Sequence, residues 1–411
     1  MEEAGRSKNF GEDYRYEIHE PRDRFNIAYV VHFILGLGNL LPWNALITAI
    51  DYFGYLYPTK HIDKVFSIAY MGASLPVLLL LISCRSNWFS NNERPLSFSF
   101  RFRMNIGLFM FLLTLMTPPI LDWSRISSLS SSYYVIVGAV AVCGLADGLI
   151  GGSLIGFAGE LPARYMQAVL AGTASSGVLV SILRIITKAS LPQTPKGLQT
   201  SSYLYFLVST FIMLGCIICC NLLNKLPVIQ YHLAHKRENS ASLSTEPIKF
   251  WVVAKKLKFS ALGVLFIYTV TLSIFPGFIT ENFQSKGLKD WYPIVLITVY
   301  NVSDLLGKSL PSIFIPKNIG KVSWACLFGR VLFYPIFTAC IHGPRWLRSE
   351  TPVIILTSLL GLSNGFFTSV LMILAPKSVS LVEAEMAGIV MALFLGFGLV
   401  LGSVVGWIWI I

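Results

Sequence analysis

Apolar residues along this chain fall into runs of about 20, separated by shorter polar stretches. A helix of that length crosses the roughly 30 Å hydrocarbon core of a lipid bilayer. The pattern therefore predicts an all-α polytopic membrane protein. Its eleven transmembrane helices are expected at residues 27–50, 64–84, 104–122, 133–158, 167–188, 203–223, 260–280, 292–315, 322–342, 352–374 and 386–410.

The longest polar interruption, residues 224–259, divides these helices into six and five. We interpret the chain as a cytoplasmic tail at 1–26, an N-terminal bundle at 27–223, a cytoplasmic linker at 224–259 and a C-terminal bundle at 260–411. Serine and charged residues at 238–247 are typical of a mobile connector.

The net charge of +11 at first indicates a nucleic-acid-binding protein, but the positions of the basic residues exclude that class. With the N-terminus in the cytoplasm, the cytoplasmic segments hold 20 of the 32 Lys and Arg residues and the outer loops hold 8. This asymmetry follows the positive-inside rule. An odd number of helices then places the C-terminus outside, where Trp407 and Trp409 are expected at interfacial depth.

Two opposite charges interrupt the predicted helix at 292–315. Asp304 and Lys308 are four residues apart and so lie on one helix face, which Asn301 extends. A charge in hydrocarbon costs roughly 2.5–3.5 kcal/mol on insertion scales, so it persists where it lines a polar interior. We expect these three residues to lie on the pathway of a transported solute.

A second acidic residue, Asp147, lies on a helix face rich in glycine, including Gly151, where another backbone can approach closely. We expect its carboxylate to face the bundle interior and to pair with Arg184 or Lys188. The alternative is that these two cations extend to the outer headgroups.

Arg330 also lies deep in a predicted helix and needs a partner, for which Asp304 is a candidate. The charge network of Asp147, Arg184, Asp304, Lys308 and Arg330 then acts as an ion lock between helices or contacts the solute directly. In the last helix, glycines at four-residue steps indicate a packing face, which Leu399 borders on the side of the cavity.

Prolines interrupt the first helix of each predicted bundle, Pro42 in LLPWN and Pro276 in SIFPGF. Interrupted helices at corresponding positions indicate the substrate site of a transporter, because a break frees backbone groups to face a cavity. Trp43 lies beside the first proline, well inside its helix, and offers a flat surface for stacking. We expect it to line the cavity.

Three patterns do not carry the chemistry that they resemble. Residues 307–309 match the end of a phosphate-binding loop, but Val302 stands where that motif needs glycine. An aspartyl protease dyad of Asp147 and Asp304 fits poorly beside Lys308. The seven cysteines and six histidines form no ligand set typical of a metal site. We therefore expect no enzyme, no cofactor and no metal.

Six motifs resemble those of the equilibrative nucleoside transporters, and among these the plant branch. In order they are GLGNLLPWNALITAIDYF, GGSLIGFAGELPARYMQAV, SIFPGF, YNVSDLLGKSL, GRVLFYP and AGIVMALFLGFGLVLGS. The resemblance runs from Tyr29 to the C-terminus. It implies an eleven-helix bundle similar to the major facilitator fold, arranged six plus five around a central cavity, in agreement with the helix count above.

The resemblance also implies which residues bind the substrate. Matching positions line the site from the first, second, seventh and eighth helices: Leu40, Trp43, Ile47, Ser74, Val77, Phe275, Asn301, Asp304 and Lys308. The family's Asn, Asp and basic residue in the eighth helix contact the sugar hydroxyls or gate the site. Lys308 stands where animal members commonly carry Arg, and Gly151 where they tend to carry Gln, which leaves the base preference open.

A nucleoside is neutral and offers a flat base for Trp43 or Phe275 and a ribose diol for Asp304. We therefore predict a monomer in the plasma membrane that transports purine and pyrimidine nucleosides, such as adenosine and uridine, by alternating access and binds no nucleic acid. Facilitative and proton-coupled modes both remain open, as does a vacuolar or other endomembrane location. An organic cation carrier of the same fold is the alternative function, and a non-transporting receptor or scaffold is a remote one.

Overall fold

The computed structural model describes residues 21–60, 62–87, 99–124, 129–242, 249–316, 318–344 and 346–409. Residues 1–20 of the expected tail and 243–247 of the expected connector lie outside the described residues. The α-helices are α1 (Ile27–Thr48), α2 (Ile50–Leu56), α3 (Ile62–Asn87), α4 (Phe100–Ser124), α5 (Leu129–Gly159), α6 (Ala163–Ser190), α7 (Pro195–Leu223), α8 (Pro227–Ser242), α9 (Phe250–Ile274), α10 (Gly277–Asn282), α11 (Tyr292–Ser309), α12 (Ile319–Val331), α13 (Phe333–His342), α14 (Glu350–Lys377) and α15 (Ala384–Trp409).

Ten helical segments within the described ranges are long and apolar enough to cross a membrane, so the prediction of an all-α polytopic membrane protein is confirmed. The helix predicted at 292–315 is observed as α11, which is not among the ten. Its 18 residues include Asn301, Asp304 and Lys308, which lower its mean hydropathy. The polar residues that point to a functional role for α11 are thus the same ones that lower its hydropathy.

Several helices begin earlier than predicted, and the difference is largest for α7 and α9. α9 begins at Phe250 rather than at residue 260, and the expected linker contains the helix α8. α7 begins at Pro195 rather than at residue 203. The Thr194 hydroxyl accepts a hydrogen bond from the Gly197 backbone N–H at 3.3 Å. Proline in the first turn and threonine as N-cap both favour a helix start at this position.

The two prolines predicted to break helices behave differently. α1 continues through Pro42, and the helical pattern changes only at Ala49, so the expected break at Pro42 was wrong. A single proline removes one backbone hydrogen bond, and the neighbouring turns of a long packed helix can still form. α9 ends at Ile274 and Phe275 is extended, so Pro276 does interrupt its helix as predicted.

The helix predicted at 322–342 is observed as α12 and α13, which are separated at Leu332. Pro335 in α13 has no N–H to donate to the carbonyl of Val331, so the hydrogen-bond pattern is interrupted at this turn. At the other end, the Asn318 side chain caps α12 by accepting a hydrogen bond from the Lys321 backbone N–H at 3.1 Å.

Glycines bring neighbouring helices into direct backbone contact, and two of these contacts bear on the candidate site. A Cβ atom at Gly144 of α5 would lie 2.1 Å from the Tyr70 carbonyl oxygen of α3. A Cβ atom at Gly365 of α14 would lie 2.1 Å from the Asp304 carbonyl oxygen of α11. Since no side chain fits at either distance, these glycines set the spacing of the helices. Helices from the two sides of the linker also meet, because α6 packs against α11, and α3 and α5 pack against α15.

Substitution of Gly365 by alanine is expected to separate α11 from α14. The added methyl group would overlap the Asp304 carbonyl oxygen, and overpacking of this kind costs about 1–3 kcal/mol. We expect Gly365→Ala to lower the melting temperature of the detergent-solubilised protein by several degrees, measured by the loss of the monodisperse peak after heating. Gly215→Ala is the matched control, because a Cβ atom at this helical glycine meets nothing within 4 Å. Equal melting temperatures for the two variants would contradict the close contact.

Candidate functional site

Asp304 and Lys308 form a buried ion pair on α11. The Lys308 Nζ atom lies 2.9 Å from Asp304 Oδ2, and the two residues are 7% and 5% exposed. Their spacing of four residues aligns the side chains along the helix, as expected. Each charge compensates the other in a region from which water is largely excluded, so the pair is tolerated there.

Arg330 joins this pair through two neutral residues. Asn364 Nδ2 donates to Asp304 Oδ1 at 2.7 Å, and the Thr271 hydroxyl donates to Asn364 Oδ1 at 2.8 Å. Arg330 donates in turn to the Thr271 hydroxyl at 2.6 Å and to the Ser363 hydroxyl at 2.8 Å. The expected partner of Arg330, Asp304, is therefore reached through a relay that ties α9, α11, α12 and α14 together.

Each half of the chain has a stacked aromatic pair that includes one of the predicted site residues. On α1 and α3, the rings of Trp43 and Tyr70 are 4.1 Å apart at 25°. After α9 and on α11, the rings of Phe275 and Tyr300 are 3.8 Å apart at 16°. The helices that carry these pairs occupy corresponding positions in the two halves of the chain. Both aromatic residues expected to stack on a base are therefore part of an aromatic platform.

The two halves match in more than their aromatic rings. One helical turn after each tyrosine lies a polar residue, Ser74 after Tyr70 and Asp304 after Tyr300. The tyrosine and the polar residue of each half pack against a glycine-rich helical segment. This segment is GLADG at 144–148 of α5 or GLSNG at 361–365 of α14, and its two glycines contact the backbone carbonyls of the tyrosine and the polar residue. The structure thus contains an internal repeat of α3 with α5 and α11 with α14.

The repeat exchanges its acidic residue between helices. In the second half Asp304 is on α11 and accepts from Asn364 on α14. In the first half Asp147 is on α5, at the position that matches Asn364, and accepts from the Ser74 hydroxyl at 3.0 Å. Leu78 occupies the position that corresponds to Lys308, so the first half has no cation there.

The expected pairing of Asp147 with Arg184 or Lys188 was wrong. Arg184 forms an ion pair with Asp51, and Lys188 donates to the Asp290 carbonyl oxygen at 2.6 Å. Asp147 lies 12 residues before the end of α5, and Arg184 lies 21 residues after the start of α6. At 1.5 Å per residue in antiparallel helices, the two positions differ in depth by about 13 Å.

Asn301 connects α11 to α6. Its Nδ2 atom donates to the Ser181 hydroxyl at 2.8 Å and to the Gly177 carbonyl oxygen at 3.2 Å. Its side chain therefore holds two halves of the chain together in this conformation. The remaining residues expected at the site are Ser74 and Gly151, which are buried, and Leu40, Trp43, Ile47, Val77, Phe275 and Leu399, which are half-buried.

A different set of contacts lies at the starts of α4, α9 and α15. Arg103 of α4 pairs with Glu385 of α15 at 3.1 Å, which again joins the two halves of the chain. Lys256 pairs with Glu383 at 2.8 Å within the second half. Burial alone would raise the pKa of the Glu383 carboxyl, but hydrogen bonds from Lys256 and Ser380 outweigh it and lower this pKa.

A cavity of about 480 Å³ is lined by residues from both halves of the chain. It lies between the starts of α1 and α6 on one side and the residues after α11 and the end of α14 on the other. Its lining residues are Asn26, Tyr29, Ala163, Arg164, Gln167, Pro311, Ser312, Ile315 and Ile373. The Tyr29 hydroxyl donates to Gln167 Oε1 at 2.8 Å across its first side.

Five residues that contact the predicted ones were not themselves predicted: Tyr70, Thr271, Tyr300, Ser363 and Asn364. A signal for Asn364 existed in the sequence, because GLSNG differs from GLADG at only two positions and the second of these holds Asp147. The sequence also indicated the tyrosines, since each stands four residues before a predicted site residue, Ser74 or Asp304. The structure shows that both of these polar residues contact the motif.

Comparisons with known proteins agree with this architecture. The model of the family described as "Nucleoside transporter" matches residues 137–249 and 237–411. The chain is 55% identical to equilibrative nucleotide transporter 8 of Arabidopsis thaliana over 95% of this chain and 97% of that relative. It is 47% identical to equilibrative nucleotide transporter 1 of the same plant, over 95% and 88%.

Solved structures show the fold alone, because their sequence identity is low. A proton:xylose symporter of the major facilitator superfamily aligns with a TM-score of 0.59 at 13% identity, covering 93% of this chain and 87% of that chain. A bacterial homologue of the iron transporter ferroportin, in an outward-facing state, aligns with a TM-score of 0.59 at 14% identity, covering 92% of each.

The buried ion pair is expected to contribute to stability only as a pair. Lys308→Met leaves the Asp304 carboxylate without its cation, and breaking a buried pair from one side costs about 3–5 kcal/mol. Asp304→Asn leaves the Lys308 ammonium group without its anion. We expect both single variants to melt at clearly lower temperatures in detergent, and the double variant Asp304→Asn/Lys308→Met to recover much of the loss. Additive losses in the double variant would show that the two charges are not coupled.

Proposed function

The chain belongs to the plant equilibrative nucleoside transporter family, and we propose that it carries nucleosides across a membrane by alternating access. Membership makes it a transporter of nucleosides or nucleotides and not an enzyme. The choice of nucleosides and the mechanism are the parts that we propose. Both are supported by one observation: each half of the chain has a stacked aromatic pair with a polar residue one helical turn away, at corresponding positions.

In this proposal eleven helices cross the membrane, six before the linker and five after it. α11, the eighth crossing along the chain, is added to the ten segments above, since its 18 residues extend about 27 Å as a helix, close to the thickness of the hydrocarbon core. α1 with α2, α9 with α10 and α12 with α13 each form one crossing. The excess of basic residues in alternate loops supports a cytoplasmic N-terminus and an outer C-terminus, which puts α8 at the cytoplasmic face.

The chemistry of the site favours a neutral substrate over a phosphorylated one. The names of the plant relatives refer to nucleotides. A phosphate group would need a cation that is free to receive it. Lys308 is already paired with Asp304, and Arg330 is 1% exposed and donates to Thr271 and Ser363. A nucleoside instead needs ring faces for its base, which the two stacks supply, and an acceptor for its ribose hydroxyls, which Asp304 supplies.

Alternating access requires that contacts between the halves open at one end at a time. Near one end, Lys188 in the last turn of α6 donates to the Asp290 carbonyl oxygen just before α11. Near the other, Arg103 of α4 pairs with Glu385 of α15. We propose that rocking of the halves breaks one of these contacts and keeps the other, while the Asp304 network exchanges partners with the substrate.

Two energetic modes fit the site. Facilitative transport needs no residue that changes its charge, whereas proton symport needs one. We assign that role to Asp147, because its hydrogen-bond partner Ser74 is neutral and Leu78 stands where the second half has a lysine. The same carboxylate would serve an organic cation carrier, which is the alternative function. We place the protein in the plasma membrane as a monomer, with the vacuole or another endomembrane as the alternative location.

Uptake of labelled adenosine into proteoliposomes tests the function. We expect saturable uptake that unlabelled uridine inhibits and monoamines do not. Asp304→Asn should lower kcat/KM by about 10- to 100-fold, the effect of one lost hydrogen bond to a charged group. Accumulation driven by an imposed pH gradient would select proton symport over facilitative transport, and Asp147→Asn should then abolish the accumulation.

Glu281→Gln is the matched control, since it removes an exposed carboxylate of α10 and should leave uptake unchanged. Inhibition by amines without inhibition by uridine would support the organic cation carrier instead. Binding and uptake of no solute at all, with Asp304→Asn behaving as wild type, would support a receptor or scaffold.

Charge reversal at the contact between α4 and α15 tests alternating access. Arg103→Glu or Glu385→Arg alone places like charges together, and we expect either to lower the adenosine uptake rate several-fold. The double exchange should restore the rate to within about twofold, because it restores the attraction. Lys256→Glu is the control, since the pair of Lys256 with Glu383 lies within one half and does not open during rocking. A double variant as slow as the slower single variant would contradict the proposal.

A further inference from the structure

Asn39 and Thr271 occupy matching positions when each is counted from the stacked aromatic ring of its half. Asn39 stands four residues before Trp43 on α1, and Thr271 stands four residues before Phe275 on α9. One helical turn separates each polar residue from its stacked ring, so both project towards the same side as that ring. Their surroundings can therefore be compared directly.

Thr271 has partners within the protein, and Asn39 does not. The Thr271 hydroxyl accepts from Arg330 at 2.6 Å and lies 2.8 Å from Asn364 Oδ1. The Oδ1 atom of Asn39 is fully enclosed and has no hydrogen-bond partner in the part of the chain that the structure describes. The whole residue is only 9% exposed. The first half therefore leaves open a hydrogen bond that the second half satisfies internally.

The residue opposite Asn39 is a glycine, so no polar side chain of α5 faces this amide at that position. A Cβ atom at Gly151 of α5 would lie 3.6 Å from both Oδ1 and Nδ2 of Asn39, so a longer side chain there would contact the whole amide group. Because Gly151 has no side chain, it provides no competing polar atom. The amide thus faces α5 one turn away from the stack of Trp43 on Tyr70.

An enclosed carbonyl oxygen without a donor is costly, at about 1–3 kcal/mol, and such atoms need an explanation where they occur. A ligand that supplies the missing donor explains it. A carboxamide presents an acceptor and a donor side by side, which complements an amino group next to a ring nitrogen, the pattern by which Asn reads adenine. The adjacent aromatic stack offers the flat surface that such a ring requires.

We propose that Asn39 is a specificity-determining residue that binds bases carrying an exocyclic amino group beside a ring nitrogen, as in adenine and cytosine. Its Oδ1 atom accepts a hydrogen bond from the amino group, and its Nδ2 atom donates to the neighbouring ring nitrogen. This inference rests on the proposed transport of nucleosides and adds the part of the base that is recognised.

Purine riboside is the probe for this contact, because it differs from adenosine only in lacking the amino group. In proteoliposomes, the wild-type protein should transport adenosine with a kcat/KM about 10-fold above that of purine riboside, as one hydrogen bond provides. Asn39→Leu keeps the size of the side chain and removes its polar atoms. We expect this variant to bring the ratio of the two kcat/KM values close to one, mainly through a higher KM for adenosine.

Asn44→Leu is the matched control, since this second amide of α1 already donates to the Ser176 hydroxyl at 2.8 Å and should leave the ratio unchanged. The ratio does not depend on how much protein inserts correctly. A wild-type protein that transports both probes equally well overturns the inference without any variant, as does an unchanged ratio in Asn39→Leu. A wild-type protein that transports neither probe overturns the proposed function itself.

Discussion

A carboxylate enclosed within a membrane protein is the constraint on which the second half of the structure depends. Asp304 is compensated by Lys308 one turn along its own helix and by the amide of Asn364 from α14. The second contact needs the backbones of α11 and α14 to touch, which Gly365 permits. Because an uncompensated charge would cost several kcal/mol, helix spacing and polar network must form together. The candidate site is therefore also a determinant of packing.

Contacts that follow from helix geometry could be predicted from the sequence, and contacts between distant helices could not. The four-residue spacing of Asp304 and Lys308 determines that they meet on α11, and apolar run lengths place most helices within several residues. Arg330 reaches Asp304 through residues of two other helices, which no periodicity indicates. Asp147 was assigned the wrong partners because a polar face shows that a residue points inwards but not at which depth its neighbours lie.

The internal repeat was hidden for a related reason. Its visible part is two five-residue motifs, GLADG and GLSNG, and glycine-rich turns of this kind are common in membrane helices. What makes them equivalent is that both contact the carbonyls of a tyrosine and of the polar residue one turn later. The acidic residue has also moved from α11 in one half to α5 in the other, so a comparison of charged positions alone would not align them.

The difference between the two halves bears on how such a protein can both hold its shape and bind a ligand. In the second half, hydrogen bonds link Arg330 to Thr271 and Thr271 to Asn364, so their interaction energy supports the packing of three helices. In the first half, Asn39 lacks a donor and Asp147 lacks a cation from its own repeat position. Unsatisfied groups have interaction energy that a substrate can recover, and a ligand shifts a conformational equilibrium only by such differential contacts. In our proposal the first half therefore adds recognition of the base through Asn39 to the contact that Asp304 of the second half makes with the ribose.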